Sequence, residues 1–190
     1  RFLFPKKLAL ILITCKVPNL SWAVTKDWLG GTNNWFDPNN WSPTGIPAPA
    51  DDVTINTTPF AQIINNQSTT INSLIAGQLA LSTGRLDINS AGKINIVSNT
   101  TPSAILGLVA SSAGELNVSD ANSLFNIATG GLTIGFQGSG ILNISNSGQV
   151  IDNSAVIADS ASSTGVVNVS DTGSKWVTNT FLLVGDNGTG

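Results

Sequence analysis

The sequence contains no histidine, no methionine and no tyrosine, and its one cysteine is Cys15. Those absences remove whole classes of chemistry. A His/Cys zinc site, a Ser-His-Asp triad and a Cys-His dyad each need residues that are missing. Glutamate is represented by Glu115 alone, so any pair of acidic catalysts has to draw mainly on aspartate. Charged side chains make up 10% of the chain, well below the roughly 25% of an ordinary globular domain. Eight Lys and Arg against eleven Asp and Glu give a net charge of −3, which argues against nucleic acid as a partner. With 41% hydrophobic residues the 190-residue chain is not a disordered composition. What it has in excess is small and amidic: 21 Asn and 19 Gly.

The first residues have the order of a targeting segment. Arg1, Lys6 and Lys7 precede the apolar run Leu8 to Cys15, and Lys16 ends it. Ser21-Trp22-Ala23 then offers a small-x-small cleavage site. This predicts a secretory signal peptide over residues 1–23. The apolar run is far shorter than the about 20 residues of a membrane-spanning helix. Cys15 is a poor lipoprotein acceptor, with the large Thr14 before it and Lys16 after it. Cleavage after Ala23 leaves four basic residues (Lys26, Arg85, Lys93, Lys175) against eleven acidic ones, net −7, and no cysteine. Such an exported chain does not rely on disulfides.

Residues 24–55 read as a tryptophan-rich capping module. Trp28, Trp35 and Trp41 are separated by Gly, Asn and Pro, so they punctuate turns rather than mark a helix. The rings are expected to cover the open end of a core, with indole N–H groups bonded to carbonyls. The competing role is a stacking platform for sugar rings. Asp51-Asp52 is a weak candidate for calcium, because adjacent residues on a strand point in opposite directions.

Residues 56–190 read as a repeat. Gly84-Arg85-Leu86-Asp87-Ile88-Asn89 returns as Gly114-Glu115-Leu116-Asn117-Val118-Ser119. It returns again as Gly140-Ile141-Leu142-Asn143-Ile144-Ser145 and as Gly165-Val166-Val167-Asn168-Val169-Ser170. Gly114, Gly140 and Gly165 are 26 and 25 residues apart, and Gly190 lies 25 further on. Each unit alternates apolar and polar residues over four to six positions and then breaks at Gly, Ser, Asn or Asp. A coil of about 25 residues holds about three short strands, and stacking coils in register at about 4.8 Å gives a parallel β-helix. The expected fold is all-β, with six or seven coils and roughly 30 Å of axis. A propeller is the second choice, since its repeats run nearer 40 residues. Stacking explains the low charge, because like charges above one another repel. It explains the asparagines too, since stacked amides hydrogen-bond along the axis. Leu116, Val118, Leu142, Ile144, Val167 and Val169 are predicted to line one inward stack, with Asn143 and Ser145 outward. The Asn-x-Ser/Thr triplets at Asn56, Asn66, Asn99, Asn117, Asn143, Asn168 and Asn187 follow from composition and repeat rather than from glycosylation.

The stretch from Gly131 to Val150 resembles the repeat of autotransporter (type V secretion) passengers and of some PEP-CTERM surface proteins. Gly165 to Gly190, with Thr172-Gly173-Ser174-Lys175-Trp176 inside it, resembles it again. The Trp28/Trp35/Trp41 module followed by Asp51-Asp52-Val53-Thr54-Ile55 is similar to the start of many such proteins. The resemblance covers about 27–55 and 105–190. It implies a right-handed parallel β-helix, exported and displayed at the cell surface or outer membrane or secreted, with an outer-membrane translocator beyond these residues. The chain carries no run of amphipathic strands for a membrane barrel and stops inside a repeat, which reads as a fragment.

Two functions follow. One is a non-catalytic adhesin or stalk, whose partners would be host-cell or matrix glycans or proteins, or other bacterial surfaces. The other is a β-helical carbohydrate-active enzyme, a polysaccharide lyase or glycosidase. Catalysis would need Asp pairs at glycosidase spacing, or a basic residue beside a calcium site. Asp87, Asp120 and Asp171 are available, but Asp120 and Asp171 occupy equivalent repeat positions, which suits turn residues better than a catalytic pair. No catalytic residue, cofactor or metal is therefore assigned. Fold alone does not choose between the two functions.

Overall fold

The computed structural model describes residues 23–190. The expected signal peptide and Cys15 lie outside the described residues, Ala23 excepted. The chain is all-β and winds into a parallel β-solenoid of about 6 turns, with ~26 residues in each.

Every turn lays down strands on three faces. The first face stacks Ala61–Ile63, Thr83–Ile88, Ala113–Ser119, Ser139–Ser145 and Thr164–Val169. The second stacks Ser68–Ile71, Lys93–Ile96, Leu124–Ile127 and the first halves of Gln149–Ile157 and Lys175–Val184. The third stacks Asp52–Ile55, Ser73–Ala76, Ala104–Leu106, Gly131–Ile134 and the second halves of those same two long strands. In the last turns the second and third faces thus run together as one strand, with a bulge between Asp152 and Ser154.

The register is the one the repeat implies. Leu86, Leu116, Leu142 and Val167 pair in one row, and Ile88, Val118, Ile144 and Val169 in the next. Leu116, Val118, Leu142 and Ile144 are buried, as alternation requires. Burial of such a side chain stabilises by about 1.5–3 kcal/mol. Val169 departs from the expectation: it keeps its row but is 48% exposed, and Val167 is half-buried. Both belong to the last strand of the first face, where Thr189 pairs only with its start, at Thr164, and among the described residues no strand lies over Val167 and Val169. The 30-residue step from Gly84 to Gly114 also departs from the period. The extra length sits in the loop between Ile96 and Ala104, where the sequence reads Asn99-Thr100-Thr101-Pro102.

Glycine works in two ways at the corners. Gly77, Gly107, Gly135 and Gly185 recur at one corner with φ between 66° and 78°, a region most side chains avoid. Gly114 has an ordinary φ but no room, since a Cβ there would lie 2.3 Å from the carbonyl oxygen of Ala76.

The N-terminal end is closed by the tryptophan module. Thr25–Trp28 pairs in parallel with Asp52–Ile55 and antiparallel with Trp41–Ser42. Asn34 bridges to Gln62, with Trp35 N–H donating to the Gln62 carbonyl at 3.0 Å. The module therefore covers strand edges on the first and third faces, which would otherwise template aggregation. Buried Lys26 ties down the following loop by donating from Nζ to the carbonyls of Pro43 (2.8 Å) and Thr44 (3.3 Å).

Candidate functional site

Trp28, Trp35 and Trp41 are buried at 3%, 0% and 0% exposure, which overturns the sugar-platform reading: no ring face is open to a ligand. They pack edge-to-face, Trp41 lying 4.9 Å from Trp28 and 4.7 Å from Trp35 between ring centroids. Two indoles find carbonyls. Trp28 Nε1 donates to Pro59 O (2.7 Å) and Trp41 Nε1 to Trp35 O (2.8 Å). Trp35 Nε1 has no partner among the described residues, contrary to the expected pattern.

The adjacent aspartates part company, as alternation predicts. Asp51 is buried and accepts from the backbone N–H groups of Val24 (3.3 Å) and Ala48 (2.8 Å). Asp52 accepts from Asn72 Nδ2 (2.8 Å) and Ser73 Oγ (2.6 Å). Among the described residues no three His, Cys, Asp or Glu side chains are placed to hold a metal ion.

Asp120 and Asp171 are turn residues, with φ of 74° and 69°. Each reaches back one coil to accept a backbone N–H, from Ser90 (3.1 Å) and from Asn146 (3.3 Å). Asp87 stands elsewhere, in a strand on the first face. Its row continues as Asn117, Asn143 and Asn168. Asn117 Nδ2 donates to Asp87 (2.8 Å), Asn143 Nδ2 to Asn117 (2.7 Å) and Asn168 Nδ2 to Asn143 (2.8 Å). These three asparagines are sequon residues, and they are engaged in the ladder. The ladder runs one way because it starts on a carboxylate, which only accepts.

Beside Asp87 the structure assembles something that the sequence reading did not single out. Arg85 forms a two-pronged pair with Asp87, Nε to Oδ1 and an Nη to Oδ2, both at 2.7 Å. Its guanidinium lies 4.5 Å from the centroid of the Phe60 ring, a cation–π distance. The hydrogen bond to Asp87, and then the negative charges of Asp87 and Glu115, hold the guanidinium above its ordinary pKa. Glu115 is the residue next to Arg85 in the adjacent strand, and Ile141 follows in the next. Together with the loop Thr57–Phe60 they line a groove of about 320 Å³ on the outer surface of the first face. The Arg85-x-Asp87 pair on one side of a strand was the signal available in the sequence. The approach of Phe60 depends on how the preceding coil closes, and no local pattern announces it.

A second unexpected group lies inside the solenoid. Asp152 is fully buried, accepts from Trp176 Nε1 at 2.6 Å and leaves Oδ1 without a hydrogen-bond partner among the described residues. Burial raises its pKa from 3.8 to about 6, while Trp176 and Thr178 in the next coil pull the other way. It has no open path to a substrate, so its shifted pKa belongs to the core and not to a catalytic site.

No protein-family profile, no curated protein and no solved structure matches this chain.

Proposed function

We propose that this chain is the β-helical passenger portion of an exported bacterial surface protein of the autotransporter or PEP-CTERM kind, acting without catalysis as an adhesin or stalk. The observation that carries this reading is how the repeat uses its polar side chains. Asp120 and Asp171 hold backbone of the preceding coil, and the Asp87–Asn168 row bonds coil to coil. Repetition here serves a stack of coils whose side faces carry the residues that differ from coil to coil. Such an architecture presents binding surfaces at a distance from where it is tethered, which is what a stalk or adhesin does.

The enzyme reading draws less support. Both oxygens of Asp87 are occupied by Arg85 and Asn117, which leaves Glu115 as the acid lining the groove without a second free carboxylate there. A glycosidase of the usual kind uses two.

Expression in a Gram-negative host together with its natural downstream sequence tests the proposal. The mature protein is expected to begin after Ala23, to be digested by protease added to intact cells, and to increase adhesion of those cells to immobilised matrix or glycans. Retention in the cytoplasm with residues 1–23 attached would overturn it.

A further inference from the structure

The outer surface of the first face carries a built depression, the groove over its early strands. Every second residue of Thr83–Ile88, Ala113–Ser119 and Ser139–Ser145 points into it or beside it, coil above coil at about 4.8 Å. Its volume of about 320 Å³ lies at the lower end of the range for small-molecule sites. The Thr57–Phe60 loop forms the N-terminal wall, so the groove is closed at one end and open along the axis toward Ile141 and Val166, which are 38% and 47% exposed.

The lining has a definite chemistry. Arg85 is immobilised from two sides, by Asp87 and by the Phe60 ring. Of its five N–H donors two are taken by Asp87, and the others remain for a ligand. Glu115, one coil on, offers acceptors only, and its one protein contact in the groove is a long 3.4 Å bond from Asn143. Of the hydroxyls, Thr83 serves as either donor or acceptor, Thr57 as an acceptor because it donates to the Thr58 carbonyl (3.3 Å), and Ser139 as a donor while it accepts from Thr164 (2.9 Å). Between these polar groups lie Pro59, Ala113 and Ile141. The occupant must therefore both donate and accept many hydrogen bonds and also present apolar C–H surface.

Charge narrows the class. Asp87 neutralises Arg85, and Glu115 leaves the groove negative, so a carboxylated or sulfated ligand is repelled. A peptide adding itself as a strand needs free backbone N–H and C=O groups. Ala113–Ser119 and Ser139–Ser145 have theirs engaged with coils on both sides, and Thr83–Arg85 pairs with the next coil while the Thr57–Phe60 loop stands beside its other edge. We propose that the groove binds an uncharged oligosaccharide lying along the solenoid axis, with Glu115 accepting from its hydroxyls, Arg85 donating to them, and Phe60 and Ile141 against its C–H faces. This deepens the adhesin reading and rests on it.

The test is saturation-transfer NMR and calorimetry on the purified chain. The probes are cellohexaose, xylohexaose, mannohexaose and maltohexaose, with hexagalacturonate as the acidic comparison. At least one neutral hexasaccharide is expected to bind, and more tightly than hexagalacturonate. Glu115→Gln keeps shape and fold and is expected to weaken that binding about tenfold, equivalent to about 1.4 kcal/mol. Phe60→Ala is expected to do the same by removing the ring and releasing Arg85. Gln149→Ala, on the second face, should leave affinity unchanged. Binding to no neutral probe, tighter binding of hexagalacturonate, or an affinity indifferent to Glu115→Gln would each overturn the proposal. None of these outcomes bears on whether the chain reaches the cell surface, so the two readings fail separately.

Discussion

Trp176 donates its indole N–H to Oδ2 of Asp152 across the boundary between the last two coils, at 2.6 Å, while the second carboxylate oxygen has no hydrogen-bond partner among the described residues. A buried carboxylate with one oxygen unanswered is stable only as far as the surrounding contacts compensate for it.

That relationship has a pH signature. The folded-state pKa of Asp152 is about 6 against an ordinary 3.8, so the folded protein binds this proton more readily than the unfolded chain does. The stability tied to protonation is fully present below about pH 4 and is lost as pH rises through about 6, amounting to about 3 kcal/mol. The urea midpoint is expected to fall across that window as pH is raised. In Asp152→Asn the fall should disappear. A native midpoint that climbs from pH 4 to pH 6 would show that another group governs the response.

Inward and outward neighbours on one strand should differ sharply in tolerance. Ile144 is 1% exposed in the apolar stack, so Ile144→Asp buries an unpaired charge and is expected to cost several kcal/mol or prevent folding. Asn143→Asp loses the donor to Asn117 and places a carboxylate near Glu115, for a cost of about 1–2 kcal/mol. Denaturant melts of the two variants decide the matter, and equal losses would place the register wrongly.

The capping indoles separate by hydrogen bonding. Trp41→Phe removes the donor to the Trp35 carbonyl, whereas Trp35→Phe removes a buried N–H that has no partner. Both lose ring volume. Trp41→Phe is expected to be the more destabilising by about 1 kcal/mol, the net worth of one hydrogen bond. Thermal unfolding followed by tryptophan fluorescence gives the ordering, and the reverse ordering refutes the assignment.

Close approach, rather than backbone strain, makes Gly114 necessary. Its added methyl would meet the Ala76 carbonyl oxygen at 2.3 Å and the Gly107 nitrogen at 2.5 Å. Gly114→Ala is therefore expected to cost about 1–3 kcal/mol, as overpacking does. A variant as stable as the parent would mean that the corner relaxes freely.

The fold was legible because the repeat writes its register directly. Gly-x-(Leu or Val)-Asn-(Ile or Val)-Ser places the glycine at a tight corner, two apolar residues inward and the amide outward, and the strand pairings align those positions one for one. The long loop before Ala104 was illegible because an insertion at a corner leaves strand periodicity untouched. Asp152 was illegible for the opposite reason. It follows Val150 and precedes Ser154 at alternate positions, so periodicity alone puts it inside, but composition marks aspartate as a surface residue. The groove depended on a non-local approach: Phe60 and Arg85 are 25 positions apart and meet only once a coil has closed.

The one-way amide ladder has a mechanical side. Its bonds, like the backbone bonds between coils, lie along the solenoid axis, so tension applied end to end loads them head-on and in series rather than in shear. Under such a load coils come away one after another. Each contributes about 5 Å to the folded length and releases about 90 Å of chain when it opens. The solenoid thereby has graded extension, lengthening by steps under pull instead of failing at once.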